Sequence, residues 1–307
     1  MTKKLRFVVS LITHDNDYQR AQADSAEETA RRLNIDLEIL YAENDAVTQS
    51  QQLIRAIQNS SVGVDALITE PAGGTAFPQA ARAAVAAGIG WIVLNRHDSY
   101  IPELRRSSSV PIGSVSSDNQ EIGRIQARQI AALLPTGGTV LYIQGPSVSS
   151  VSAQRLAGTT SAKPPNLSLK LLRCSNWTDH AGFQAVSAWL QLSTSRNSDL
   201  QGVLAQNDAI ALGAHRAFRE ISSRPDREQW LHMPFLGIDG LRAGRMAVQR
   251  GTLAATITSP PISGQAIELM ARALRERTTL PESTLVAAQS VPEISALVSR
   301  VQAGKTS

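Results

Sequence analysis

Short, uninterrupted apolar runs alternate with longer amphipathic stretches along almost the whole chain, and no other feature restricts its possible folds so tightly. Residues 7–12 (Phe7, Val8, Val9, Ser10, Leu11, Ile12) read as a strand. Residues 18–34 follow as a helix, with Ala21, Ala26, Ala30 and Leu33 at helical spacing, and residues 37–41 as a second strand. The pattern then repeats: a helix over 47–59, a strand over 66–68, a helix from Pro78 that stops at Gly88, and a strand over 91–94. Apolar strands joined by helices imply a parallel sheet covered on both faces, because a strand buried on two sides has no polar alternation. Such sheets receive ligands at the carboxyl ends of their strands.

A second series begins beyond the polar segment 105–109. The strand 112–115 leads into Asp118 and a helix reaching about Leu134. Strands then follow at 139–143, 167–172, 203–205 and 235–238, each with a helical stretch behind it. The fold class is α/β, with two similar doubly wound parallel-sheet lobes. Residues 64–71 and 200–207 echo each other across the two series, each an apolar strand ending in polar residues ahead of a helix. The last segment, 292–305, reads as a helix with Ile294, Leu297, Val298 and Val301 on one face.

The composition agrees with two domains. A chain of 307 residues, 42% hydrophobic and 18% charged, splits naturally into units that each bury a core. Cys174 is its single cysteine, so there is no disulfide framework and no thiolate cluster for a metal. The net charge of +4 is spread over scattered Lys3-Lys4, Arg31-Arg32 and Arg105-Arg106 pairs rather than a basic arm, which argues against a nucleic-acid partner. No apolar stretch approaches the roughly 20 residues a membrane helix needs. The basic start Lys3-Lys4 is followed by an apolar segment too short for a secretory signal before His14, Asp15, Asn16 and Asp17 interrupt it. Phosphate-loop, dinucleotide and nucleophile-elbow motifs are missing, and the five histidines (14, 97, 180, 215 and 232) show no metal-ligand spacing.

Three segments carry more than rhythm. They are residues 203–214 (VLAQNDAIALGA), 235–240 (FLGIDG) and 251–257 (GTLAATI), with Val93-Leu94-Asn95-Arg96, Ser117-Asp118-Asn119 and Arg155-Leu156-Ala157-Gly158 ahead of them. In this order they resemble the periplasmic ribose-type sugar-binding proteins of ABC transporters, which share a fold with the ligand-binding core of lac-repressor-like regulators. The resemblance covers nearly the whole chain. It implies two lobes joined by a three-crossover hinge near residues 116, 259 and 289, so that 1–116 with 260–289 forms an N-terminal lobe and 117–259 with 290–307 a C-terminal lobe. It further implies a monomer that closes on a small sugar or related polyol without cofactor, metal or chemistry. Its partners would be the membrane permease of an ABC transporter or a membrane sensor such as a kinase or chemoreceptor. A periplasmic location rests on the same resemblance, while the single cysteine and the short apolar start fit the cytoplasm equally well.

A sugar site needs side chains that donate and accept together with flat apolar faces, held on rigid strand ends. Arg96, directly after the strand 91–94, and Arg155, beyond the turn Gly145-Pro146, match family positions that bond hydroxyls; the plainer reading of each is surface arginine. Asn207 matches a pocket amide and also suits a helix N-cap. Asp239 matches a pocket carboxylate and also suits a turn before Gly240. Trp177 and Tyr18 match the aromatics that flank the ring, against ordinary core packing. Asn16, in the loop after the first strand, is a further hydroxyl partner. Asn95 stands where the family usually has aspartate, Ser259 where it has a hinge-side glutamine, and Gln19 where it has a second aromatic. Those departures weaken the case for ribose and point to another polyol, a larger sugar or an anionic ligand.

Two lobes around a cleft also describe many enzymes, but no catalytic motif supports that class. A repressor would carry a helix-turn-helix ahead of the first strand, which here starts near Leu5.

Overall fold

The structure is a computed structural model that describes residues 4–58, 63–74, 77–96, 98–192, 199–220, 230 and 232–305. The chain divides into two compact units, residues 1–117 with 261–286, and 118–260 with 287–307.

The first pass builds most of unit 1: β1 (Arg6–Leu11), α1 (Asp17–Arg32), β2 (Asp36–Tyr41), α2 (Ala46–Gln58), β3 (Ala66–Thr69), α3 (Pro78–Ala86), β4 (Gly90–Leu94), α4 (Ile101–Arg106) and β5 (Ile112–Ser117). Unit 2 follows with α5 (Asn119–Leu133), β6 (Gly138–Gln144), α6 (Ser150–Ala162), β7 (Leu167–Arg173), α7 (Asp179–Gln191), β8 (Leu200–Ala205), α8 (Asp208–Glu220), β9 (Phe235–Leu236), α9 (Arg242–Gln249) and β10 (Thr256–Thr258). The chain returns to unit 1 for α10 (Ser263–Glu276) and β11 (Ser283–Val286), then to unit 2 for β12 (Gln289–Val291) and α11 (Ile294–Lys305).

Unit 1 holds a six-stranded sheet in the order β11-β5-β4-β3-β1-β2, parallel throughout. Side chains on a strand alternate between faces, and β1 shows the result. Phe7, Val9 and Leu11 enter one core with Ala26 of α1 and Ile267 and Met270 of α10. Val8 enters the opposite core with Leu53 of α2, Ala84 of α3 and Leu104 of α4. Both faces being covered, the strand has no polar alternation, and its buried Ser10 accepts from Gln49 Nε2 at 2.9 Å.

Unit 2 has a parallel four-stranded sheet, β7-β6-β8-β9, beside an antiparallel pair, β10-β12. Leu141 and Ile143 of β6 pack with α7 and α8 on one face, where Trp189, Phe218 and Trp230 supply the bulk. Val140 and Tyr142 turn to the other face, where Ile130 of α5 and the fully buried Leu297 of α11 close the layer. The C-terminal helix thus packs on α5 through Leu297, whereas Val298 of the expected apolar stripe is exposed.

Two helix pairs in unit 2 touch backbone to backbone. A methyl added at Gly158 of α6 would overlap the Gln120 carbonyl of α5, and one at Gly123 of α5 would overlap the Arg155 carbonyl of α6. Gly182 of α7 and Gly213 of α8 face the other pair in the same manner, against Ile210 and Asp179. Only a residue without a β-carbon allows this approach.

The strand expected over 235–238 is shorter than the apolar run. Regular pairing ends at Leu236, and Asp239 instead makes an isolated bridge to Thr258 with φ of 108°. The edge strand β11, β12, α4 and α10 were not anticipated. Asn59, at the end of the expected second helix, lies outside the described residues.

Candidate functional site

In both units the polar groups gather where strands give way to helices at their carboxyl ends. The first residues of a helix have backbone N–H groups without helical partners, so the connecting loop favours Asn, Asp, Ser and Thr. Asn16 Oδ1 accepts from the Gln19 amide at 2.9 Å and caps α1. In unit 2, Asp118 caps α5, Ser149 α6 and Thr178 α7 in the same way, while Asn207 Oδ1 accepts from the Ile210 amide at the start of α8.

Unit 1 builds its cluster around Glu70, which follows β3 and is 6% exposed. Gln19 Nε2 donates to Glu70 Oε2 at 2.9 Å, and Gln22 Nε2 reaches the same oxygen at 3.4 Å. Asn95 Nδ2 donates to Glu70 Oε1 at 2.7 Å. Tyr18 Oη lies 3.4 Å from both Gln22 Nε2 and Asn95 Nδ2. Asn95 occupies the left-handed region with φ of 58°, which asparagine tolerates better than most residues. Arg96, its neighbour, is largely covered and stands 3.6 Å from Asp98. Gln19, standing where the resemblance places an aromatic, is a buried structural amide whose Oε1 accepts from the Ile12 amide at 3.0 Å. Tyr18 and Asn16 are half-buried.

Unit 2 centres on Arg155 and Gln206. Arg155 is 6% exposed, far from the plain reading of surface arginine. Its Nε donates to Asn119 Oδ1 at 3.0 Å and its Nη1 to the Gln206 carbonyl at 2.5 Å. The guanidinium carbon lies 5.8 Å from the ring centre of Trp177, within cation–π range. Trp177 is half-buried and lies over Gly145, where any side chain would strike the indole. The Trp177 carbonyl accepts from Asn207 Nδ2 at 2.9 Å, so Asn207 ties the Trp177 loop to α8 as well as capping that helix.

The Gln206 side chain is saturated. Nε2 donates to Tyr142 Oη and to the Ser152 carbonyl, both at 2.8 Å; Oε1 accepts from the Gly145 amide at 2.9 Å and Ser152 Oγ at 2.8 Å. Asp208, beside it, accepts from Thr256 Oγ1 at 2.6 Å and the Gly240 amide at 2.9 Å. Burial, with the charge of Asp239 added, pushes its carboxyl well above the usual carboxylate range. Gly237 and Gly244 close directly on this carboxyl, so it supports the site from beneath. Asp239 is 9% exposed, and its carbonyl accepts from the Ser259 amide at 3.0 Å. The Ser259 side chain is buried.

Taken by unit, the structure gathers Asn16, Tyr18, Asn95 and Arg96 at one set of strand ends, and Arg155, Trp177, Asn207, Asp239 and Ser259 at another. Sequence reasoning overlooked Glu70, Gln206 and Asp208. His97 lies outside the described residues, whereas His14 is exposed beside Asp15 and Glu43. The thiol of Cys174 is buried, pushed up to about 12 and therefore inert. Among the described residues no helix is long and apolar enough to cross a membrane.

Two α/β units, each with preset donors and acceptors at the carboxyl ends of parallel strands, define the bilobed solute-binding class. The chain belongs to the periplasmic binding protein domain family, whose model matches residues 7–278. It is 26% identical over 305 residues to a D-apiose import binding protein of Paraburkholderia graminis, an alignment spanning 97% of this chain and 89% of the relative. A D-ribose/D-allose-binding protein of Pseudomonas aeruginosa is 28% identical over 211 residues, 68% of this chain and 62% of that one. Among solved structures, an ABC transporter periplasmic solute binding protein from Actinobacillus succinogenes with bound D-allose superposes with a TM-score of 0.81 at 24% identity, covering 96% of this chain and 99% of its own. These relatives are binding proteins rather than enzymes.

Proposed function

We propose that this protein captures a small sugar or related polyol and delivers it to the permease of an ABC importer, without acting on it chemically. The observation that carries the reading is the preorganisation of both polar clusters. Each amide and guanidinium is held by a neighbour in one orientation, so a ligand meets donors and acceptors already aimed. A polyol matches such an array because every hydroxyl both donates and accepts.

The contact residues would be Asn16, Tyr18, Asn95 and Arg96 from unit 1 and Arg155, Trp177, Asn207, Asp239 and Ser259 from unit 2. Bridging by ligand would shift the protein toward a closed state in proportion to its preference for that state. The membrane permease would read the closed form, with the protein acting as a monomer in the periplasm.

A thermal-shift and calorimetric screen against D-ribose, D-allose, D-apiose, xylitol, sugar phosphates and amino acids tests the proposal. A ligand present at about 100 times its Kd stabilises the fold by roughly 2.7 kcal/mol. The expected outcome is a clear rise in Tm with one or two neutral sugars or polyols and unchanged ligand after incubation. No shift with any sugar, or conversion of one, would overturn it.

A further inference from the structure

The polarity of the amide at Asn95 follows from the groups around Glu70. Gln19 has its Oε1 engaged by the Ile12 amide, and Gln22 has its Oε1 engaged by the Ile262 and Ser263 amides at 2.8 and 2.9 Å. Both glutamines must therefore turn their NH2 groups toward Glu70 Oε2. The other carboxyl oxygen, Oε1, accepts from Asn95 Nδ2 at 2.7 Å, and an ionised carboxylate can only accept. Only the NH2 of Asn95 can face it at that distance. Among the described residues no donor reaches Asn95 Oδ1.

We propose that Glu70 is a positioning residue that fixes this polarity, so that Asn95 offers its carbonyl oxygen to a ligand hydroxyl that donates. The inference rests on the ligand-binding reading above and deepens it by specifying what the ligand presents at this point. A carboxylate at position 95 would stand against Glu70, whereas an amide held by Glu70 keeps an acceptor facing outward.

Charge exchange tests it. In Glu70→Gln the pinned NH2 groups of Gln19 and Gln22 call for the new amide's oxygen, which turns its own NH2 toward Asn95. Asn95 then turns over and offers NH2 to the ligand in place of its oxygen. Asn95→Asp alone brings two carboxylates together. The double variant Glu70→Gln/Asn95→Asp restores the outward acceptor, since one oxygen of the new aspartate accepts from the glutamine and the other stays available.

Calorimetry of wild type and the three variants against D-ribose, D-allose, D-apiose and xylitol should show each single change weakening the tightest binder by about tenfold or more, because each leaves a hydrogen-bonding group mismatched. The double variant should return to within about threefold of wild type, a coupling that independent sites do not show. A purely structural role would leave the double variant no better than the singles. Melting curves confirm that each variant folds. NMR provides a readout that needs no ligand: the Asn95 side-chain NH2, assigned by its loss in Asn95→Asp, should exchange with water about tenfold faster in Glu70→Gln, since it loses its carboxylate partner. Unchanged affinity in both singles, no recovery in the double, or equal exchange rates would overturn the inference. Should wild type bind none of the four compounds, the proposed function fails while the exchange rates still decide the orientation of Asn95.

Discussion

Replacing Gln206 with leucine, which is similar in size but has no polar atoms, should cost unit 2 about 4 kcal/mol. Four hydrogen bonds use both hydrogens of Nε2 and both lone pairs of Oε1. A typical intramolecular hydrogen bond contributes about 1 kcal/mol net, and four together give roughly 4 kcal/mol. That is a large share of the 5–15 kcal/mol by which domains are stable, so the effect should be plain. The partners left behind are buried: Tyr142 is 0% and Ser152 0% exposed. Urea unfolding followed by tryptophan fluorescence is well suited, because Trp177, Trp189 and Trp230 belong to unit 2 and Trp91 to unit 1. The unit 2 transition should move to lower urea while circular dichroism of the native baseline stays unchanged. Gln206→Glu should also be damaging, since it sets a second acceptor against the Ser152 carbonyl. A loss below about 1 kcal/mol in Gln206→Leu would refute the idea that this side chain organises the unit.

Asp208 should make stability depend on pH. An acid whose folded pKa is raised adds stability fully present below its ordinary value of 3.8 and lost as the pH rises through the folded value. Asp208→Asn, which can still accept from the Gly240 amide and donate to Thr256 Oγ1, should flatten the fall of Tm as the pH rises above the ordinary carboxylate value of 3.8; an unchanged slope would count against it. Arg155→Lys loses one of two buried hydrogen bonds and should reduce stability by about 1.5–3 kcal/mol in urea titration, with affinity for the identified sugar falling more than about tenfold. Gly158→Ala should cost about 1–3 kcal/mol by forcing α6 away from α5. Leu297→Ala should cost about 2–5 kcal/mol, because its side chain fills the core beneath α5.

Strands buried on both faces were legible because short, largely apolar runs such as residues 7–11 and 91–94 are bounded by polar loops and alternate with amphipathic stretches. The edge strand β11 was not, since Ser283 and Leu285 are exposed and the segment lacks the same signature. Arg96 and Asp239 stood out by their position after strands, and Arg155, which lies inside α6, by the resemblance alone. Glu70 and Gln206 did not, although residues 64–71 and 200–207 were already matched, so a polar residue important at the end of one strand implied a counterpart at the end of the other. What the pattern could not convey is hydrogen-bond direction. Asn207 looks equally suited to capping and to ligand contact until its partners, Ile210 and Trp177, are seen.

At Gly123 and Gly158 the backbones of α5 and α6 meet with no side chain between them to compress or repack. Rotamer changes cannot absorb a shift there, so the two helices behave as a single block. That block begins at the cap residue Asp118, where the chain enters unit 2, and it carries the guanidinium of Arg155. A displacement at the entry point would thus be passed toward Arg155 with little side-chain adjustment at the two glycines.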